Sequence, residues 1–374
     1  MSKPEPTVVQ SSPAEADKGL GSNLPIKQHG TAADRNDMIM VAWEFCLLVS
    51  PFSLQDGGTP AVFWGLITCP IVMVPMYCSL AEVASMSPTA GGQYYWVSEL
   101  APPRLQKGLS YSVGWLIAMG WQTFLCGVSF RGSEFTSRFS KPRPFFIVLT
   151  SPGQASLILG LATLSYPTYY IQAWHETLLT IGIVAFCTFF NIFLAVRLPL
   201  VEALILLLHV AGVFVVIIPL WVMAPRGNTH DTIIKFTNSG GWFNDGLAAT
   251  IGMVPTIGLL IGYDCSVHLS EETHDASRTI PQVVLAAVGT NAVMLLVVGM
   301  TYIFCLGDLD SVLNTSTGQP VIQVLYNTTQ NHAGTTIITL VIIIVLLSAC
   351  VGQVATASRQ LWSFARDKGE FRCD

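Results

Sequence analysis

Asp264 places a carboxylate inside a long apolar run, within the stretch IGYDCSVHLSEET at 261–273. No Asp, Glu, Lys or Arg occurs between Asp245 and Asp264, and Gly262 stands just before the carboxylate. Glycine weakens a helix, and an ionisable residue within a membrane span is a functional-site hypothesis by default. The pair therefore predicts a helix that is interrupted where a solute or an ion binds.

Glu44, in the stretch VAWE at 41–44, is a second carboxylate inside an apolar run. Interrupted helices around a site at the membrane midplane are typical of secondary transporters, whose half-helix ends offer N–H groups and carbonyls to substrate and ions. The two runs are the first and sixth predicted spans, which is the offset expected of two inverted five-helix repeats. We predict that substrate or ion contacts come from Trp43, Glu44, Gly262, Tyr263 and Asp264.

Other polar residues in or near the spans have plainer alternatives. Asp264 could instead extend towards the membrane surface or pair with a basic residue of another helix. His209 is expected to be a hydrogen-bonded packing residue rather than a proton carrier. His268 and Glu271 are candidates for gating or coupling, and with Glu272 they could also contact lipid headgroups. Substrate contacts are less favoured for all three.

Composition excludes several classes of protein. The chain has 374 residues, of which 51% are hydrophobic and 11% are charged, whereas a soluble domain carries about 25% charged residues. A net charge of −5 does not suggest nucleic acid as a partner. The nine cysteines are single, and HETLLT at 175–180 is not the H-E-x-x-H metalloprotease motif. We expect no metal, no cofactor and no enzymatic activity.

Eight membrane spans are predicted from apolar runs of the length that crosses a bilayer. Residues 1–37 are read as a disordered tail, and 38–369 as the membrane domain. With the N-terminus in the cytoplasm, twelve of the 18 basic residues face the cytoplasm, as the positive-inside rule requires. The predicted spans are 38–54, 60–84, 109–130, 177–195, 200–224, 247–269, 283–306 and 335–357.

A basic patch after the third span is the exception to this bias. It precedes Phe145–Leu164, an apolar stretch that we do not count as a span because crossing would reverse every later loop. We expect an irregular external segment there or a helix extension. Two glycosylation sequons, at Asn314 and Asn327, fall in a loop that this topology places outside.

Several motifs carry a family resemblance. AEVASMSPTAGGQYYW at 81–96 and GYDCSVHLSEETHDASRTIP at 262–281 resemble the second and sixth helices of amino acid–polyamine–organocation transporters. GWLIAMGW at 114–121, NSGGW at 238–242 and ATASRQLWSFARDKG at 355–369 fit the same pattern. Together they are similar to the fungal amino acid/choline transporter family. The resemblance implies an all-α, leucine-transporter-like bundle of inverted repeats, normally with twelve spans, in which broken helices one and six hold the substrate.

The sequence departs from that family pattern in three places. The polar stretch ending at Asp37 runs almost directly into the first span, about 20 residues around 131–151 match nothing, and the chain stops after the eighth span. We therefore expect an imperfect gene model, truncated and mis-spliced, with an aberrant end at 370–374. We expect the 374-residue chain as it stands to fold poorly and to transport nothing.

The resemblance implies the function of the intact protein. It is expected to be a plasma-membrane permease for amino acids or related amines such as γ-aminobutyrate or choline. Uptake would be driven by protons or another coupling ion through alternating access. A nutrient sensor on the same scaffold is the alternative.

Overall fold

The structure is a computed structural model that describes residues 42–129, 153–166, 168–194 and 197–367. The predicted tail at 1–37, the unmatched segment at 131–151 and the chain end at 370–374 lie outside these residues. The described residues form helices and connecting turns without a strand. This is the all-α architecture that the sequence predicts.

Fourteen α-helices are numbered here in chain order within the described ranges. They are α1 Trp43–Asp56, α2 Gly58–Met86, α3 Gln93–Leu100, α4 Gln106–Ser129, α5 Gln154–Ser165, α6 Ala173–Phe193, α7 Leu198–Met223, α8 Thr229–Ile233, α9 Asp245–Ile257, α10 Cys265–His268, α11 Ala276–Phe304, α12 Leu309–Leu313, α13 Pro320–Thr329 and α14 His332–Arg366. Two 3₁₀ turns, Gly258–Leu260 and Ser270–Glu272, flank α10.

Six stretches of the described chain are long and apolar enough to cross a membrane. They are 58–86, 174–193, 203–223, 245–268, 276–304 and 332–366. The other two predicted spans are also helical: α1 has 14 described residues and α4 has 24. Several outward faces, above all those of α6 and α7, expose large apolar side chains, as a lipid-facing surface would.

The interior is built around α2, α11 and α14. α2 packs along α11, α9 packs against both α1 and α2, and α14 contacts α4, α5, α6, α7 and α13. Gly65 allows the close approach of α2 to α9, since a Cβ there would overlap the side chain of Thr256. The first helix is held in this interior, and ten of its residues, including Trp43 and Glu44, are buried.

α5 corrects one of the two expectations for Phe145–Leu164. Residues 154–165 are not an irregular external segment, because they form a regular helix whose side chains are mostly buried against α14 and α6. At a rise of about 1.5 Å per residue, its 12 residues reach only about 18 Å. The described helix is therefore too short to cross a bilayer by itself.

Candidate functional site

The helix interruption predicted at Gly262 is present. α9 ends at Ile257, a 3₁₀ turn follows, and Ile261 is extended with φ −94° and ψ 152°. Gly262 then adopts φ +98°, a conformation that L side chains rarely take. Helix resumes at Cys265 and lasts only to His268. The chain is therefore unwound from 261 to 264, in the middle of a stretch that is apolar enough to cross a membrane.

Asp264 ends the unwound segment and retains access to its surroundings. Its side chain is 19% exposed, whereas the side chain of neighbouring His268 is fully buried. One carboxylate oxygen, Oδ2, accepts a hydrogen bond of 2.8 Å from Nε2 of Gln93, the first residue of α3. The same oxygen lies 3.7 Å from Nε2 of His268. The carboxylate is thus fixed from one side and leaves room for a further donor.

The tautomer of His268 follows from its other contact. Its Nδ1 lies 2.8 Å from the carbonyl oxygen of Ala90. A carbonyl only accepts hydrogen bonds, so Nδ1 must carry a hydrogen and donate it. Nε2 then faces Asp264 and has no hydrogen-bond partner among the described atoms. The imidazole ring can therefore take a proton on the side of the carboxylate.

A tight turn just before α3 contacts α10, the short helix that follows the break. Gly92 has φ +55°, and a Cβ there would lie 3.3 Å from both Val267 and His268. The ring of Trp121, from α4, meets the His268 imidazole edge-on with centroids 6.1 Å apart. Residues 90–93 and α4 therefore hold α10 in place and fix the direction of the Asp264 side chain.

The start of α1, which the sequence predicts to contact substrate, is buried in this conformation. Trp43 and Glu44 are both fully buried. The Oε1 atom of Glu44 lies 2.6 Å from Nδ1 of His209, on α7. The Trp43 indole lies 5.9 Å from the same imidazole, between ring centroids, and depends on Gly212, where a Cβ would stand 3.0 Å from its Cζ2.

Tyr263 is also buried in this conformation, at 1% exposure. Its ring meets that of Tyr77, from α2, edge-on at 5.3 Å. Its hydroxyl has no hydrogen-bond partner among the described atoms. Of the four side chains that the sequence predicts to contact substrate or ion, Asp264 is the one that is partly exposed, whereas Trp43, Glu44 and Tyr263 are buried.

Comparison with known proteins identifies the family of this chain. The profile of a family described as amino acid permease matches residues 36–370, which is most of the chain. The chain belongs to the amino acid permease family. The permease is 29% identical over 332 residues to a Macrophomina phaseolina protein named for amino acid/polyamine transport, an alignment covering 88% of this chain and 68% of that protein.

Two budding-yeast proteins are also similar to the permease. The choline transporter of Saccharomyces cerevisiae is 25% identical over 320 residues, which is 84% of this chain and 52% of that protein. The GABA-specific permease of the same yeast is 24% identical over 324 residues, again 84% of this chain and 52% of that protein. The permease thus spans about half the length of these two relatives. Because the relatives are named as transporters and permeases, the chain stands among transport proteins and not among enzymes.

Beyond the break, the permease carries two bidentate ion pairs. Glu271 receives hydrogen bonds of 2.9 and 2.6 Å from Arg366, and Glu272 receives bonds of 2.6 and 2.8 Å from Arg359. Both arginines lie near the end of α14. In this conformation the two ion pairs tie the segment after α10 to α14, and the expectation that the two glutamates act at a gate or contact headgroups stays a prediction.

A third contact joins α3 to the same end of α14. The hydroxyl of Tyr94 donates to Oδ2 of Asp367 at 2.9 Å and lies 3.0 Å from the hydroxyl of Ser363. Burial raises the pKa of Tyr94, so its hydroxyl remains a protonated donor at neutral pH. The unwound segment is therefore enclosed on this side by α3, the turn Ser270–Glu272 and the end of α14.

The two sequons of the permease differ in structure. Asn314 is exposed at the end of α12, and its amide donates to the carbonyl of Asp310. Asn327 lies inside α13, where its side-chain oxygen accepts from Gln323 and the next residue, Thr328, is buried. Of the two predicted acceptors, only Asn314 presents a sequon at a helix end.

A cavity of about 360 Å³ opens between α6 and α14 and is lined by Leu178, Leu179, Gly182, Ile183, Phe186 and Leu347. Its apolar lining fits a hydrocarbon chain better than a polar solute. In the same described ranges, no group of three His, Cys, Asp or Glu side chains is placed to hold a metal ion.

Sequence reasoning missed three partners of the site residues: Gln93, His209 and Arg366. Each lies far along the chain from the acid it contacts, at separations of 171, 165 and 95 residues. The motifs that contain Gln93 and Arg366 offered a signal, because both share the family resemblance with the break, whereas His209 lies in none of these motifs. The His268–Asp264 contact has i,i+4 spacing and was open to prediction.

Proposed function

We propose that the permease is a secondary active transporter for amino acids or related amines, working by alternating access in the plasma membrane with its N-terminus in the cytoplasm. The observation that carries the proposal is Asp264, a partly accessible carboxylate at the end of an unwound segment inside a membrane-length stretch. Irregular backbone at such a depth is tolerated where it lines a cavity or is buried in protein.

The chemistry of Asp264 favours a solute with a cationic nitrogen. A carboxylate that is held by one amide donor keeps lone pairs for an ammonium group, and a quaternary ammonium would be attracted by its charge. The names of the relatives support this class, since choline, polyamines, γ-aminobutyrate and most amino acids all carry such a nitrogen. Glu44 and Trp43 would support the site from behind.

The proposal includes coupling to protons. Its support is the placement of two imidazole–carboxylate contacts, His268 with Asp264 and His209 with Glu44, next to the two helix starts. A proton gradient can drive uptake only if some group inside the protein binds and releases protons during the cycle. Histidine and carboxylate side chains are suited to that role.

Uptake of a labelled panel tests the proposal. Cells that express the chain are given choline, γ-aminobutyrate, a polyamine, and acidic, neutral and basic amino acids, with and without a protonophore. Surface labelling measures how much protein reaches the membrane. In contrast to the sequence-based expectation that the chain transports nothing, we expect uptake of at least one cationic-nitrogen compound above vector controls, because the described helices pack together around a formed break. We expect the protonophore to abolish this uptake. Surface-expressed protein that neither binds nor accumulates any of these compounds would contradict the proposal.

A further inference from the structure

The contact between Glu44 and His209 is the most deeply buried acid–base contact among the described ion pairs. Both side chains have zero exposure, and Nδ1 and Oε1 are 2.6 Å apart. The pair joins the first turn of α1 to the middle of α7. The two remaining polar atoms, Oε2 of Glu44 and Nε2 of His209, have no hydrogen-bond partner among the described atoms.

The charge of this pair depends on one proton. A neutral imidazole beside an ionised carboxylate would leave a net charge of −1 in the interior, with Oε2 lacking a donor. A single added proton, on either residue, makes the pair neutral overall. Burying an uncompensated charge costs several kcal/mol, and the described ion pairs place no lysine or arginine beside Glu44. The neutral pair is therefore the stable form in a closed interior.

The groups around the pair do not supply the missing charge. The Trp43 ring is tilted by 36° to the imidazole, with the two centroids 5.9 Å apart, and it carries no charge. The titratable side chains that face Glu44 or its first turn are tyrosines and cysteines, which are neutral in their protonated form. They are Cys46 on α1, Cys69 on α2, Tyr263 on the unwound segment and Tyr302 on α11.

The Glu44–His209 pair also lies at the start of α1, where a movement of this helix would change the surroundings of the pair. α1 starts at Trp43 and packs against the 3₁₀ turn Gly258–Leu260, which directly precedes the unwound segment. Removing the proton would place a net negative charge between α1 and α7. Water or a cation would then have to reach the pair, and α1 would have to separate from α7 to admit it.

We propose that Glu44 and His209 form a buried site for one exchangeable proton, and that this proton is the one coupled to transport. The coupling role rests on the proposed transporter function, whereas the proton site itself does not. The proposal replaces the sequence-based expectations that Glu44 touches substrate and that His209 only packs. Asp264 then binds the solute while the pair behind it binds the proton.

The proton is detected directly in the purified 374-residue chain, without any substrate. Nitrogen-15 NMR of labelled histidine reports imidazole protonation, and isotope-edited infrared spectroscopy reports protonated carboxyl groups. Loss of a signal in His209→Gln or Glu44→Gln assigns it. At pH 7.5 we expect either an imidazolium at His209 or a protonated carboxyl at Glu44. A neutral imidazole together with an ionised Glu44 would overturn the proposal; the protonation states are read in the unsubstituted chain, and the variants serve only to assign its signals.

His230 and Asp231 provide the matched control pair. Their side chains are 3.6 Å apart but 70% and 56% exposed. Their protons should exchange with solvent freely, whereas hydrogen exchange at the buried pair should be slower by at least a hundredfold. Equal exchange at both pairs would contradict a closed proton site.

Transport assays in proteoliposomes separate the coupling role from the proposed function. Labelled choline and γ-aminobutyrate are followed in two modes: accumulation driven by a pH gradient, and exchange at equal pH. Glu44→Gln should keep exchange and lose accumulation by at least tenfold, because Gln retains the oxygen acceptor but not the proton. Gradient-driven accumulation that survives in this variant would overturn the coupling role. If unsubstituted protein shows neither mode, the transporter function fails while the spectra still decide the proton site.

Discussion

Arg366 and Glu271 face each other as a two-pronged ion pair, with Nη1–Oε2 and Nη2–Oε1 distances of 2.9 and 2.6 Å. The pair links the end of α14 to the turn that follows α10, and Arg359 with Glu272 repeats the arrangement about two turns away. The side chains of Arg366 and Glu271 are 42% and 40% exposed. Exposed ion pairs contribute about 0–1 kcal/mol each. Such contacts are weak enough to break during a transport cycle.

Removing both pairs should loosen this end of the site. In Glu271→Gln/Glu272→Gln, we expect the equilibrium to shift towards an open form by up to about 2 kcal/mol, a factor of up to about 30, with little change in thermal stability. The buried thiol of Cys265, next to Asp264, should then react faster with maleimide, as measured by mass spectrometry of its peptide. The variant Glu271→Arg with Arg366→Glu exchanges the charges of one pair and leaves the other pair intact. Its Cys265 should therefore react as slowly as in the unsubstituted protein.

The exposed acid Glu99 on α3 supplies the control for these variants. Glu99→Gln should leave Cys265 labelling unchanged, because it alters charge without touching α14. If the double variant labels Cys265 no faster than Glu99→Gln does, the two ion pairs do not hold this end of the site closed.

Gly262 should be intolerant of any side chain. Its φ of +98° would cost a non-glycine residue about 1–3 kcal/mol, so Gly262→Ala should lower the midpoint of thermal unfolding and weaken solute binding. Gly258→Ala is the matched control, because Gly258 has φ −60° and a Cβ there meets no atom within 4 Å. Equal midpoints for the two variants, measured by intrinsic fluorescence, would show that the break does not require glycine.

Gly65 should matter for packing and not for backbone conformation. A Cβ there overlaps the Thr256 side chain, so Gly65→Ala should destabilise the α2–α9 contact by about 1–3 kcal/mol. Thr256→Ala in the same chain should recover most of that loss. Gly289→Ala, on an open face of α11, should be neutral or slightly stabilising. A Gly65→Ala chain as stable as Gly289→Ala would refute this close approach.

The sequence predicted the break because its signals are local. Gly262 and Asp264 are two residues apart inside one apolar run, so composition and backbone preference suffice to find them. The contacts that give the site its chemistry are not local: Gln93 meets Asp264 across 171 residues, and His209 meets Glu44 across 165. Such pairings depend on how the helices pack, and no pattern within either segment indicates them.

The short helix α5 shows a second limit of the sequence. The basic-residue bias argued against counting the apolar stretch Phe145–Leu164 as a span, but neither hydropathy nor charge bias reports how a helix packs. Gln154 and Ser156 are buried because they have hydrogen-bond partners on other elements: Gln154 donates to the backbone of Leu346, and the hydroxyl of Ser156 accepts from Gln319. In the sequence alone, such a polar residue looks like an interruption of an apolar stretch, because its hydrogen-bond partner in the interior cannot be seen there.

Glycosylation should distinguish the two sequons. We expect Asn314→Gln to abolish the shift in electrophoretic mobility that endoglycosidase produces, and Asn327→Gln to leave it intact. The reason is that Asn314 is exposed at a helix end, whereas Asn327 is inside α13 beside buried Thr328. A shift that depends on Asn327 would mean that α13 opens before modification, and absence of glycan on both would contradict an external position for this loop.

Solute binding at Asp264 is the central claim, and binding to purified Asp264→Asn protein tests it most directly. Labelled compounds from the uptake panel are measured at equilibrium against unsubstituted protein and Asp231→Asn, which removes an exposed carboxylate far along the chain. Loss of one charge-assisted contact should weaken binding of a cationic nitrogen compound by at least tenfold in Asp264→Asn, since such bonds contribute about 1.5–3 kcal/mol. Asp231→Asn should bind normally. Unchanged affinity in a folded Asp264→Asn protein would contradict the assignment of this carboxylate to the solute.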